Sequence, residues 1–222
     1  MKLLALDTAL DACSVAVLDG AAVLAACSEP MQRGHQERLA PMTAEAMTAA
    51  GVAFADLGRI AIAVGPGSFT GVRVGLAFAK AMALALDLPC IGIGTLEVLA
   101  ASAPEEAPGL VAAVIDARRG QVYVQPFRDG LALDPPAALD LETAAARLEA
   151  LGWRDGGALI GSGAALIGET LPGVRILAGS MGDPVVLGRL ALDRPIPERR
   201  PQPLYLRAPD ARTIAERAAA AS

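Results

Sequence analysis

Two stretches of this chain open in the same way, and that repetition narrows the folds open to it. LLALDTALDACSVAV (3–17) is an apolar run ending at Asp7, then a short turn and a second apolar run. LVAAVIDARRGQVYVQPF (110–127) repeats the order with Asp116, a turn at Arg119-Gly120 and an alternating run. Two strand–Asp–hairpin openings predict an internal duplication of one α/β unit. Between them SAPEEAPG (102–109), rich in proline and acid, marks a boundary. The division expected is an N-terminal lobe over 1–103 and a C-terminal lobe over 104–222.

The first half continues with AAVLAACS (21–28), joined to the preceding strand by Asp19-Gly20, which reads as a type I′ hairpin turn. Leu39, Met42, Ala46 and Ala49 then recur at helical spacing. Pro41 falls inside that pattern, so the helix is expected to start late or to bend. RIAIAVG (59–65) has the unbroken apolar character of a strand buried on both faces. A helix over 71–87, a strand PCIGIG (89–94) and a helix TLEVLAA (95–101) with Thr95 as N-cap follow. The second half adds a helix over 142–151, a strand ALIGSG (158–163), a further helix and VVLGRLAL (185–192). This order predicts an α/β fold of two lobes, each a mixed sheet flanked by helices.

The 19 basic and 24 acidic residues leave a formal charge of −5. A chain this acidic is a poor candidate for a primary nucleic-acid binder, because phosphates reward neutralisation. Locally the balance reverses: Arg189 to Arg217 carries seven arginines against Asp193, Glu198, Asp210 and Glu216. That tail reads as a solvated, proline-punctuated segment, with contact to RNA or an acidic partner as the other reading. Cys13, Cys27 and Cys90 have no CxxC spacing, and an odd count argues against a disulfide framework. Cys13 and Cys27 lie symmetrically about Gly20 and read as buried thiols. No apolar run reaches bilayer length and no signal-peptide pattern is visible, so a cytoplasmic protein away from membranes is expected.

The segment AVGPGSFTGVRVGL (63–76) invites a phosphate-loop reading, and its spacing fails the test. No Lys-Ser/Thr follows the glycines, and Gly65, Gly67 and Gly71 give G-x-G-x-x-x-G, one residue too long for a dinucleotide fingerprint. A tight strand-to-helix turn capped by Ser68 or Thr70 fits better. An anion at the helix start is the minority alternative. The following helix is apolar nearly all round, with Arg73, Lys80 and Asp87 as one thin polar line. Gly71, Gly75, Ala79 and Ala83 form a row of small residues at i, i+4 spacing that admits a close neighbour. One side of this helix is expected on the chain's own sheet, and the other under either a second helix of this chain or a partner subunit. Met31, Met42 and Met47 add adaptable apolar surface.

His35 is the only histidine, so a two-histidine metal site within the chain is impossible. Leu39 stands where a helical H-x-x-x-H pair would place its second ligand. His35 therefore reads as a helix-start polar residue or an interface contact. Asp7 and Asp116 lack a glycine-rich phosphate turn beside them and read equally well as acids satisfying turn N–H groups.

LLALDTA, HQERLAP (35–41), AVGPGSFTGVRVGLAFAKAMA (63–83) and PLYLRAPDA (203–211) together resemble the TsaB (YeaZ) family, with GPGSFTGxRxGL the most specific stretch. The resemblance covers the N-terminal half closely and the C-terminal half loosely. It implies a two-lobed actin-like/RNase H-like (ASKHA) fold. It also implies a non-catalytic subunit that binds and supports the catalytic subunit TsaD in forming threonylcarbamoyladenosine in tRNA. TsaE completes the larger assembly, tRNA is met indirectly through the complex, and a homodimer is possible when the chain is alone. In TsaD the corresponding helix carries the metal-binding H-x-x-x-H that here reads His35-Gln-Glu-Arg-Leu39. No catalytic residue, cofactor or metal is therefore expected of this chain, and a metallopeptidase reading ranks last. The alternative is an ATP-dependent ASKHA-type phosphotransferase using Asp7 and the glycine loop. The resemblance implies docking through the first two helices, with His35, Glu37, Leu39, Met42, Ala46, Ser68, Phe69, Thr70, Arg73, Gly75, Ala79 and Met82 as candidate interface residues.

Overall fold

The first three strands, β1 (Lys2–Asp7), β2 (Ala12–Asp19) and β3 (Ala22–Pro30), form the antiparallel meander that the hairpin signals predict. The computed structural model describes residues 1–107 and 109–207. Arg212, Arg217, Asp210 and Glu216 of the tail, and the end of PLYLRAPDA, lie outside the described residues. Only Gly20 in the β2–β3 loop has a positive φ, 54°. A type I′ turn needs two such residues, so the turn is of another type. At the turn of the second half, Arg119 and Gly120 both have positive φ, 57° and 72°.

After the meander come α1 (His35–Ala49), β4 (Leu57–Ala63), α2 (Phe69–Ala85), β5 (Cys90–Ile93) and α3 (Thr95–Ala101). The sheet order is β3-β2-β1-β4-β5, with β4 parallel to β1 and β5 parallel to β4. β4 is buried along almost its whole length, as its unbroken apolar sequence requires of a parallel central strand. Helix α1 does not start late: it begins at His35 and carries Pro41 inside it. Pro41 is exposed, so water can satisfy the carbonyl that its missing N–H leaves open. The N-cap of α3 is Gly94 rather than Thr95, whose buried Oγ1 has no hydrogen-bond partner.

The second half contains β6 (Leu110–Arg118), β7 (Gln121–Arg128), β8 (Leu131–Ala132), β9 (Ala137–Asp140), α4 (Leu141–Ala150), β10 (Ala158–Ile160), α5 (Ala164–Thr170), β11 (Arg175–Ile176) and α6 (Pro184–Leu192). Its sheet runs β11-β10-β6-β7-β8, with β9 also on β7. β7 is antiparallel to β6, while β10 and β11 run parallel on the other side. With the extra strand β9 set aside, this is the order of the first sheet, so the duplication seen in the sequence is a duplication of topology. The fold is the two-lobed ASKHA arrangement. Trp153, fully buried, anchors the second core and donates its indole N–H to the Ala158 carbonyl at 3.0 Å.

Helix α6 ignores the sequence order and returns to the first sheet. Leu187 and Ala191 join the first core, and Gly188 lies against Leu18 and Leu3. Arg59 on β4 reaches the end of that helix and donates to the carbonyls of Ala191, Leu192 and Arg194. A cation at a helix C-terminus is favoured by the free carbonyls and the dipole together. Among the described residues no helix is long and apolar enough to cross a membrane.

The small-residue row of α2 faces inward. Gly71, Gly75, Ala79 and Ala83 are all buried. A Cβ on Gly71 would fall onto the Thr8 carbonyl oxygen, and one on Gly75 onto the Thr8 hydroxyl and within 3.0 Å of Ile62 Cδ1. The glycines admit the chain's own β1 end and sheet, not another subunit.

Candidate functional site

The 63–76 segment is knitted to the end of β1. Thr8 donates its hydroxyl to the Gly71 carbonyl at 2.7 Å, and Ser68 N–H donates to the Ala9 carbonyl at 2.7 Å. Ser68 Oγ caps α2 by accepting from Gly71 N–H at 3.2 Å. Gly65, at φ 96°, turns the chain so that its carbonyl accepts from Thr95 N–H at 2.9 Å. A phosphate loop presents free amides, whereas Ser68 spends its amide on Ala9. The loop is a packing device, as its spacing implies.

Between the lobes lies a cleft of about 620 Å³. Leu10, Pro66 and Ser68 line one wall, and Ile115, Arg118 and Ser162 the other. The two duplicated acids stand near it in parallel roles. Asp7 Oδ1 accepts Ala9 N–H at 2.8 Å and Asp116 Oδ1 accepts Arg118 N–H at 2.8 Å, each acid closing its own turn two residues on. Their surroundings differ. Asp116 is half-buried, pairs with Arg118 and donates its N–H to Ser162 Oγ at 3.1 Å. Asp7 is buried, and Gly182, in the segment leading into α6, lies against both its Oδ2 and Val98 of α3.

Burial pushes the Asp7 carboxyl up to about 6 from 3.8, offset in part by the Ala9 N–H. A raised carboxyl value costs stability when the group ionises. Below pH 4 both states hold the proton and the cost is absent. It builds as the unfolded chain releases its proton and is complete above pH 6, at about 3 kcal/mol. Asp7→Asn keeps an acceptor for Ala9 and removes the charge. It is expected to unfold about 2–3 kcal/mol later than the parent at pH 8, with the difference fading towards pH 4. Urea titrations across that range read the effect directly. Cys13 and Cys90 are also held above the usual thiol range by burial, at about 11, and are poor nucleophiles.

The twelve candidate interface residues divide by exposure. His35, Leu39, Met42 and Ala46 on α1, and Gly75 and Ala79 on α2, are buried in the chain's own core and cannot meet a partner in this conformation. On α2 the residues are apolar or small nearly all round, so sequence cannot say which stripe turns inward; on α1 the buried stripe is the apolar one, opposite the exposed Gln36, Glu37 and Glu45. Glu37, Ser68, Phe69, Thr70 and Arg73 are exposed, and Met82 is half-buried. The outward stripe that the sequence reading missed is Ala40 and Ala44 on α1 with Ala77, Ala81 and Leu84 on α2; Leu84 is 64% exposed. Arg38 ties α1 to the sheet edge, with Nε to Glu29 at 2.7 Å and Nη1 to Glu45 at 2.8 Å.

At the start of α2 the Arg73 guanidinium lies 3.7 Å over the Phe69 ring, while its Nε donates to Tyr205 Oη at 2.7 Å. Tyr205 comes from the tail. No periodicity could have revealed it, because the tail has none; the one aromatic among its prolines and arginines was the available signal. His35 begins α1 with Nε2 buried and without a hydrogen-bond partner. Leu39, one turn on, offers no ligand atom and is 1% exposed, so these residues do not fit a two-histidine metal site. Among the described residues no three His, Cys, Asp or Glu side chains are grouped to hold an ion.

The family model described as TsaD, tRNA N6-adenosine threonylcarbamoyltransferase, matches residues 28–157. The tRNA threonylcarbamoyladenosine biosynthesis protein TsaB of Escherichia coli K12 is 43% identical over 124 residues, 55% of this chain and 53% of that protein. The TsaB protein of Bacillus subtilis 168 is 37% identical over 133 residues, 59% of this chain and 58% of that protein. A crystal structure from Pseudomonas aeruginosa, described as similar to peptidase YEAZ, superposes with a TM-score of 0.79 at 33% identity. That superposition covers 93% of this chain and 99% of that one.

The chain belongs to the TsaB (YeaZ) family. Its alignments span little more than half the length of these curated TsaB relatives, whereas the structural match extends over both lobes. The TsaD model begins within β3 and runs through α1, α2, β6, β7 and α4 to just before β10.

Proposed function

We propose that this chain is a TsaB-type partner subunit in tRNA threonylcarbamoyladenosine synthesis, binding a TsaD homologue as a heterodimer. On this reading it has no transfer chemistry of its own, works in the cytoplasm, joins a larger assembly with a TsaE homologue and meets tRNA through the complex. The division into lobes 1–103 and 104–222 belongs to the same proposal. The observation that carries it is the outward stripe of Ala40, Ala44, Ala77, Ala81 and Leu84. These are small or apolar side chains exposed on two helices that touch each other. Such a ridge lets a partner's helices approach closely and desolvates little polar surface. The exposed members of the sequence-derived set, Glu37, Phe69, Thr70 and Arg73, would lie at its rim.

The test is co-elution with the TsaD homologue on a sizing column, followed by titration. Ala77→Glu with Ala81→Glu would place two carboxylates on the ridge without touching the core. Affinity is expected to fall by about a hundredfold or more, because each charge would be desolvated without a partner. Retained co-elution would overturn the docking surface. Reconstituted tRNA modification with and without the chain, scored by nucleoside mass spectrometry, tests the role itself. The phosphotransferase alternative draws support from the interlobe cleft, and calorimetry with ATP–Mg decides it: absence of binding removes that reading.

A further inference from the structure

The last described segment joins the two lobes by a route that the sheets do not provide. The Pro201 ring fills the space that a side chain at Gly92 of β5 would take. Leu204 N–H donates to the Val64 carbonyl at 2.8 Å, so the tail continues the hydrogen bonding of the first sheet past the end of β4. Tyr205 then stacks on Phe69 with ring centroids 5.1 Å apart and accepts from Arg73. Two residues later the chain is anchored to the other lobe, where Arg207 Nη1 donates to the Ala117 carbonyl at 2.8 Å and to Gln121 Oε1 at 3.3 Å. Leu204 to Arg207 form part of the cleft lining between these anchors.

We propose that Pro201–Arg207 is an intramolecular latch that holds the two walls of the interlobe cleft together and so sets how far the cleft opens. Its two ends differ in kind. The first-lobe end is a backbone hydrogen bond, a proline contact and an aromatic stack, spread over Gly92, Val64 and Phe69. The second-lobe end rests on one guanidinium, whose charge-assisted bonds are individually stronger and fail together when the side chain is removed. Release is therefore expected to start at Arg207 and to move both walls.

Residue-resolved amide exchange on the full chain tests this. Ser68 N–H, held by Ala9, reports the first-lobe wall; Arg118 N–H, held by Asp116, reports the second; Leu204 N–H reports the latch. In Arg207→Ala, which removes the guanidinium bonds to Ala117 and Gln121 together, all three are expected to exchange about tenfold faster or more. Ile60 and Val15 in the first core are expected to stay unchanged. Acceleration of Leu204 alone, with Ser68 and Arg118 unmoved, would show a tail that frays without governing the cleft and would overturn the proposal. If Arg207→Ala loosens the core amides as well, Tyr205→Phe decides. It removes only the hydroxyl that Arg73 holds, and faster exchange at both Leu204 and Ser68 supports the latch, while no change overturns it.

Discussion

Replacing Gly71 with valine is expected to destabilise the monomer by about 3–5 kcal/mol, although glycine is an unfavourable residue inside a helix. On an exposed helix a β-carbon at this position would gain about 1 kcal/mol or less by propensity. Here it would land on the Thr8 carbonyl, which is fixed at the end of β1 and is backbone rather than a side chain able to swing away. Thr8 also donates its hydroxyl to the Gly71 carbonyl at 2.7 Å, so displacement breaks a buried hydrogen bond as well. Urea unfolding of the isolated chain reads the loss. A stable Gly71→Val monomer that only failed to bind a partner would instead restore the reading in which the small-residue row faces another subunit.

The second large effect is expected at Arg59. Its guanidinium is buried and serves the carbonyls of Ala191, Leu192 and Arg194 at the end of α6. Arg59→Leu would leave those carbonyls without their donor while filling much of the same volume, at a cost of about 3–5 kcal/mol. Arg59→Lys keeps the charge but offers a compact head in place of a planar fork, so partial recovery is expected. Because Leu187 and Ala191 of α6 belong to the first core, the loss should appear as cooperative unfolding of the first lobe. Circular dichroism and tryptophan fluorescence distinguish this, since Trp153 sits in the second core. Coincident transitions would show that the lobes unfold together.

Much of the architecture was readable from local patterns. The strand–Asp–hairpin openings at Asp7 and Asp116 predicted the duplication, and the two sheets repeat one strand order. Of the two caps the sequence offered, Ser68 and Thr70, the structure uses Ser68, and of the two readings of Asp7 and Asp116 it shows the turn acceptors; both sets of contacts lie within three residues, the range that residue type and position can reach. The wrong details were of the same local scale: a turn type at Gly20 and an N-cap displaced by one at Thr95. Pro41 was accommodated inside α1 because its solvent-facing side could leave a carbonyl to water.

The sequence reading placed a candidate interface on two helices without fixing which of their sides faces out: Leu39, Met42, Gly75 and Ala79 were assigned outward and lie inward. A 3.6-residue period locates a buried stripe only when the opposite stripe is polar. On α2 the outward residues are Ala77, Ala81 and Leu84, so composition around the helix carries almost no phase.

By itself the sequence determined the alternation of elements, the repeated lobe and a single histidine with no second ligand one turn on. Each of these depends on residue identity or on spacing within a few turns. The tertiary structure alone decided that the glycines of α2 hold β1, that α6 crosses back to the first sheet under Arg59, and that the tail ties Val64 to Ala117. Those contacts join residues far apart in the chain, and long-range pairings leave no period in the intervening sequence. GPGSFTG is the meeting point of the two: its spacing rules out the standard phosphate loops, and only the position of Thr8 and Ala9 opposite it shows what the glycines are for.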